Sequence, residues 1–209
     1  MKDFPNNFSE TTESLPLDEI GDKGREFAEQ LAAKGYEVRH GLTTAFADAI
    51  TAMANEPAIR EYCPKDCTQR FANREVIQSW LSKKRATFLL LKNNDQGEQD
   101  LVGYGWVGTE SSDLIPTGQT TFAIRIGEAG QGQGLATPFA WLIVAGAAAI
   151  YGARDVWLET WQSNGGAVHV YHKIGFQDVA QVEDDRPTIS GQSVKDTRLY
   201  MALPNELLP

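Results

Sequence analysis

Ala129-Gly130-Gln131-Gly132-Gln133-Gly134-Leu135-Ala136 places glycines at 130, 132 and 134, between a β-branched stretch and an alanine-rich one. A glycine-rich loop that opens a helix aims free backbone N–H groups at one point, and the helix dipole adds partial positive charge there. That is phosphate-binding chemistry. The dinucleotide fingerprint G-x-G-x-x-G does not fit, because its third glycine would fall on Leu135 or Thr137, and no Gly-Lys-Ser/Thr of a P-loop follows. Read by itself, the loop is also compatible with a plain glycine-rich turn.

A second motif lies downstream. Asn164-Gly165-Gly166-Ala167-Val168-His169-Val170-Tyr171-His172-Lys173-Ile174-Gly175-Phe176 follows the strand-like Val156-Trp157-Leu158-Glu159-Thr160. The loop's Gln131-x-x-Gly134-x-Ala136 resembles the Q/R-x-x-G-x-G/A motif of the GNAT superfamily of acetyl-CoA-dependent N-acetyltransferases. The downstream stretch is similar to that family's N-x-x-A-x-x-x-Y-x-K-x-G-F pattern. The motif-dense likeness covers about residues 120–176, and a likeness in element order alone runs from Tyr36 to near Leu203.

The resemblance implies an enzyme in which a primary amine, on a small molecule or on a peptide or protein, attacks the thioester of acetyl-CoA directly. It implies coenzyme contacts from Gln131, Gly132, Gln133, Gly134, Leu135, Ala136 and Thr137 of the loop and from Asn164, Ala167 and Tyr171. The backbone of Ile124, Arg125 and Ile126 would pair with the pantetheine arm and offer an N–H to the thioester carbonyl. Tyr171 would be the general acid for the departing thiolate. A half-buried helix aromatic is its plain alternative, and a helix N-cap is that of Asn164, with Ser163 competing for the capping role. The loop departs from the family at Gln133, where Arg or Lys is frequent, and Glu128 adds negative charge. Holding the coenzyme would then fall on backbone amides. A module of the same fold that senses acyl-CoA without turnover is the alternative function.

Transfer to an amine also needs a base, since a lysine-type amine has a pKa of about 10.4. Thr120, Phe122 and Ile124, which share one strand face, cannot serve. Leu158-Glu159-Thr160 followed by Asn164 and Tyr171 resembles the spacing in ribosomal-protein alanine N-acetyltransferases, and this makes Glu159 the candidate base. Between Trp157 and Trp161 on one strand face its carboxylate is expected to be partly desolvated. A structural pair with Arg154 or another cation is the alternative. His169 and His172 are expected to be exposed or structural.

These residues need a scaffold. Thr120–Ile126 has strand composition. Pro138–Tyr151, with Pro138 in the first turn and Gly152 at the end, reads as a helix. Upstream, residues 1–16 are polar and read as a mobile tail or an arm on a partner, and Leu17–Ala33 as a helix. Tyr36–His40 reads as a strand, Thr43 or Thr44 to Met53 as a helix, and the stretch holding Tyr62, Cys63, Pro64, Cys67 and Phe71 as irregular. A helix capped by Asn73 is expected over Arg74–Arg85, then strands at Thr87–Leu91 and Leu101–Thr109. The region between the first two strands would form one wall of the acceptor pocket. The fold class expected is α/β (α+β), with one mixed, mostly antiparallel sheet flanked by helices. An N-terminal extension (1–35) would precede a single acetyltransferase domain (36–209).

The chain has 209 residues, 42% hydrophobic, and a formal net charge of −9. That length suits one domain with a substantial core. The charge argues against nucleic acid and anionic membranes as partners, and it would suit a cationic amine. Cys63 and Cys67 supply at most half a metal site, with His40, His169 and His172 far away, so a reduced pair without metal is expected. No secretory signal pattern opens the chain, and Pro138–Tyr151 is too short to span a bilayer, which together point to a cytoplasmic protein. The extra N-terminal segment leaves room for a homodimer.

Overall fold

β3 (Arg85–Asn93) explains the layering of the molecule. Its residues 86–91 are buried without interruption, as a strand covered on both faces must be. Phe88 and Leu90 point into one core with Leu15, Val107, Phe122 and Phe139, while Leu89 and Leu91 point into a second with Ile50, Ile77, Trp80, Tyr104 and Trp106. The computed structural model describes residues 3–94 and 96–209.

The sheet has eight strands in the order β1-β2-β3-β4-β5-β6-β8-β7. They are β1 (Glu13–Ser14), β2 (Tyr36–His40), β3, β4 (Gln99–Thr109), β5 (Thr120–Ile126), β6 (Val156–Trp161), β7 (Gln177–Pro187) and β8 (Ser193–Ala202). All neighbours are antiparallel except β5 and β6. That parallel pair is joined only at Thr120↔Val156 and Thr121↔Trp157. Beyond Thr121 the two strands part, and the sheet opens.

One face carries α1 (Gly21–Ala32), α5 (Ala136–Tyr151) and α6 (Gly165–Ile174). α5 is apolar around its whole circumference and almost entirely buried, as a helix packed on several sides must be. Gly152 ends it at φ +66°. The other face carries α2 (Thr44–Ala54), α3 (Pro57–Tyr62), a single π-turn (Asp66–Arg70) and α4 (Arg74–Leu81). Thr43 caps α2 by accepting the Phe46 N–H at 3.3 Å, and Asn73 caps α4 by accepting that of Val76 at 2.9 Å.

The expected α/β architecture is the one found, with local differences. The N-terminal tail is not a free arm: Phe4 stacks on Tyr151, Leu15 is buried, and Glu13–Ser14 pairs with β2. α1 starts at Gly21 rather than Leu17, which is half exposed. α4 stops at Leu81, because Lys84 turns into the left-handed region (φ +57°) and Arg85 already pairs with Gly108 of β4. The stretch read as irregular contains α3, which Pro57 opens from its first turn, and the π-turn.

Candidate active site

A cavity of about 970 Å³ occupies the opening between β5 and β6. Both sequence motifs meet there. Its lining includes Ile124, Arg125 and Ile126 of β5, the loop residues Gln131, Gly132, Gly134, Leu135, Ala136 and Thr137, and Asn164, Ala167 and Tyr171 of α6. Glu159 lines it from β6. Of the expected coenzyme residues only Gln133 is outside.

Gly132 and Gly134 adopt φ +72° and +70°, which lets the chain turn sharply into α5 without strain. The amides of Gly130 and Gln131 are used within a preceding turn. Those of Gly132 and of Gly134 to Thr137 have no intramolecular acceptor among the described residues. They sit at the positive end of a 16-residue helix. Such a cradle suits a phosphate or pyrophosphate.

The open edge of β5 adds a second set of backbone groups. In an antiparallel ladder alternate residues turn both N–H and C=O toward the partner strand. A Cβ on Gly105 would come within 2.8 Å of the Ala123 carbonyl, and one on Gly103 within 2.7 Å of that of Arg125, so these two residues face β4. Ile124 and Ile126 therefore face the side that β6 has vacated. Their carbonyls accept from Arg125 Nη1 (2.8 Å) and Gln131 Nε2 (3.2 Å). Both N–H groups remain directed at the cavity.

Gln133 serves the loop itself. Its Nε2 donates to the Ala129 carbonyl at 2.6 Å, and its Oε1 accepts from Tyr36 Oη at 2.7 Å. The positive charge missing from this position comes from elsewhere: Lys34 Nζ, in the α1–β2 turn, donates to the Gln133 carbonyl at 3.0 Å. The two residues are 99 apart in sequence, so no local pattern could have revealed the pair.

Tyr171 is 5% exposed, packed edge-on against Phe122 at 6.0 Å and near Phe176. No described residue holds its hydroxyl. Burial pushes its pKa up to about 12, with Arg125 opposing. Asn164 uses its side-chain oxygen to cap α6 at the Ala167 N–H (3.4 Å), while Ser163 is taken up by Asp196. The desolvation expected at Glu159 is not found. Its carboxylate is 40% exposed and paired with Arg198 Nη1 at 2.8 Å, not with Arg154. Cross-strand pairing with β8 brings Arg198 opposite Trp161, on whose ring it stacks at 4.0 Å.

The opposite wall contains a cluster without a counterpart in either motif. Asp66, fully buried, accepts from Arg125 Nε (2.7 Å), Arg70 Nη1 (2.9 Å) and Tyr104 Oη (3.0 Å). Burial acts to lower the Arg125 pKa, and Asp66 outweighs it and holds the value above the ordinary one. Cys63 lines the cavity beside it, its thiol pushed up to about 11 by burial, which makes it a poor nucleophile. Among the described residues no three His, Cys, Asp or Glu side chains converge as a metal site requires, and no helix is long and apolar enough to cross a membrane.

A family model described as an acetyltransferase (GNAT) domain matches residues 40–177. Solved structures are similar across most of the chain. A spermidine N-acetyltransferase from Vibrio cholerae, in complex with CoA and spermine, is 19% identical, covers 83% of this chain and 99% of its own, and has a TM-score of 0.64. A structure from Salmonella typhimurium with its cofactor acetyl-CoA is 17% identical, with coverages of 81% and 93% and a TM-score of 0.62. The ribosomal-protein-S5-alanine acetyltransferase from Vibrio fischeri is 12% identical, with coverages of 82% and 94% and a TM-score of 0.61. At these identities the likeness shows the fold. No curated protein sequence matches the chain.

Proposed function

The chain belongs to the GNAT acetyltransferase family, and from that premise we propose that it is an acetyl-CoA-dependent N-acetyltransferase acting on a primary amine. The observation that carries this reading is the set of unpaired N–H groups at Gly132 and at Gly134 to Thr137, on residues that line the same cavity as Tyr171.

Acetyl-CoA supplies an activated acyl group, so the protein needs no nucleophile of its own. The loop amides hold the phosphates, with Lys34 adding positive charge. The Ile124 and Ile126 N–H groups orient the pantetheine arm and polarise the thioester carbonyl. The amine nitrogen forms the new C–N bond as the C–S bond breaks. Tyr171 gives a proton to the sulfur, and the ammonium proton leaves through Glu159 or water. Arg198 holds one edge of the Glu159 carboxylate at 2.8 Å, so a base role there runs through a bridging water near its exposed edge.

Calorimetric titration with acetyl-CoA, with dephospho-CoA and NAD as controls, tests the first half of this proposal. Selective binding of acetyl-CoA is the expected result. Lys34→Gln should weaken it by about three- to tenfold, the range for one partly exposed charge contact. Thiol release with an amine panel tests the second half, and binding without any release would favour a non-catalytic acyl-CoA sensor. Glu159→Gln is expected to lower turnover most at acid pH, where free amine is scarce. A pH–rate profile parallel to that of the wild type would remove it as the base.

A further inference from the structure

One corner of the acceptor wall carries a local surplus of guanidinium. Each carboxylate lining the cavity is paired with a cation: Glu61 with Arg186 (2.8 Å), Glu110 with Arg85 (2.9 Å), Glu159 with Arg198 (2.8 Å) and Asp185 with Lys195 (3.0 Å); Arg186 is shared with Asp196 and Arg198 with Asp184. The guanidiniums are differently placed. Arg70 and Arg125 both line the cavity, and both lean on the single carboxylate of Asp66.

At this corner two guanidiniums share one carboxylate, so one positive charge lacks an anion of its own. Arg70 is its exposed side. Its side chain is 28% accessible, only Nη1 is engaged among the described residues, and its plane lies 5.3 Å from the Trp106 ring. Arg85 approaches the same ring at 5.6 Å and feels Arg70 as a like charge. The Trp106 indole nitrogen is buried without a partner. This corner of the wall thus presents planar, forked donors, a match for a carboxylate.

The rim argues for a small molecule. Tyr62, at the end of α3, donates to the Ser163 carbonyl at 3.3 Å, and Arg186 of β7 reaches the Glu61 carbonyl at 3.0 Å. α3 is thereby tied across to the β6–α6 turn and to β7.

We infer that the acceptor is a small amine that also bears a carboxylate, an amino acid, with Arg70 as the residue that receives the carboxylate. This rests on the transferase reading above. The test is thiol release from acetyl-CoA with matched sets of acceptors: free α-amino acids, their primary amides, the corresponding decarboxylated amines, and short peptides. Free acids should exceed their amides by at least tenfold in kcat/KM. Arg70→Gln, which leaves Asp66 paired with Arg125, should lower kcat/KM for the acids by about ten- to a hundredfold and bring the acid-to-amide ratio near unity, as expected for loss of a charge-assisted contact. Arg70→Lys should restore part of the ratio. Coenzyme A titration of each variant verifies an intact site.

Amides or simple amines used as well as acids, or an acid-to-amide ratio unmoved by Arg70→Gln, would overturn the inference and leave the transferase reading standing. Peptides preferred over free acids would overturn the small-molecule part. Coenzyme binding with no thiol release from any acceptor would overturn the transferase reading itself, and the inference with it.

Discussion

Tyr171→Phe is expected to lower kcat by about 10²- to 10⁴-fold, the range for loss of a positioned general acid, with the Kd for acetyl-CoA nearly unchanged. The substitution removes one oxygen and keeps the ring between Phe122 and Phe176, so packing and the loop amides stay as they are. The pH dependence follows from the direction of the shift. Burial raises the Tyr171 pKa to about 12, and a group that must be protonated to act keeps its proton at every pH below that value. The wild-type rate should rise with pH as the amine deprotonates, and no alkaline fall should appear below about pH 11. Two results would count against the role: turnover in Tyr171→Phe within a few-fold of wild type, or an alkaline fall near pH 9 that the substitution abolishes. The first would mean that water protonates the sulfur, the second that the hydroxyl is far less buried than its surroundings indicate.

What could be read from the chain divides along the range of the interactions. Helix ends are local decisions, so Thr43 or Thr44, Asn73 and Gly152 are recognisable from neighbours within a few residues: Thr43 opens α2, Asn73 opens α4 and Gly152 closes α5. The glycine loop is local too, and it turns into α5 where the sequence places a loop before a helix. Lys34 and Gln133 are brought together only by the pairing of β2 into the sheet and the packing of α1 on α5. Glu159 shows both sides of this division. Alternation puts it on one face of β6 with Trp157 and Trp161, and that face lines the cavity, yet its partner arrives from β8, a strand whose register cannot be read from β6. The tail residues Phe4 and Leu15 sit in a polar segment with no periodicity, and only their sockets, Tyr151 and the first core, identify them as anchors.

The same division applies to the Asp66 cluster, and its energetics give the second large effect. The segment from Cys63 to Phe71 has no helical or alternating pattern, because a π-turn shifts side chains off both periods. Asp66→Ala would leave Arg125 (12% exposed) and Arg70 (28%) without their shared anion and the buried Tyr104 hydroxyl without its acceptor. Removing one member of a buried ion pair costs about 3–5 kcal/mol, which for a chain of this length lowers Tm by about 6–20 °C. A urea or thermal melt reads it directly. Asp66→Asn, which keeps an acceptor oxygen but not the charge, should fall between wild type and Asp66→Ala. The double variant Asp66→Ala/Arg70→Gln separates charge from packing. If repulsion between the two guanidiniums dominates, it will be more stable than Asp66→Ala alone, because one of the unpaired cations is gone. If Asp66→Ala melts within about 1 kcal/mol of wild type, the guanidiniums are reaching solvent through the cavity, and the wall holds no trapped positive charge for an acceptor carboxylate to neutralise.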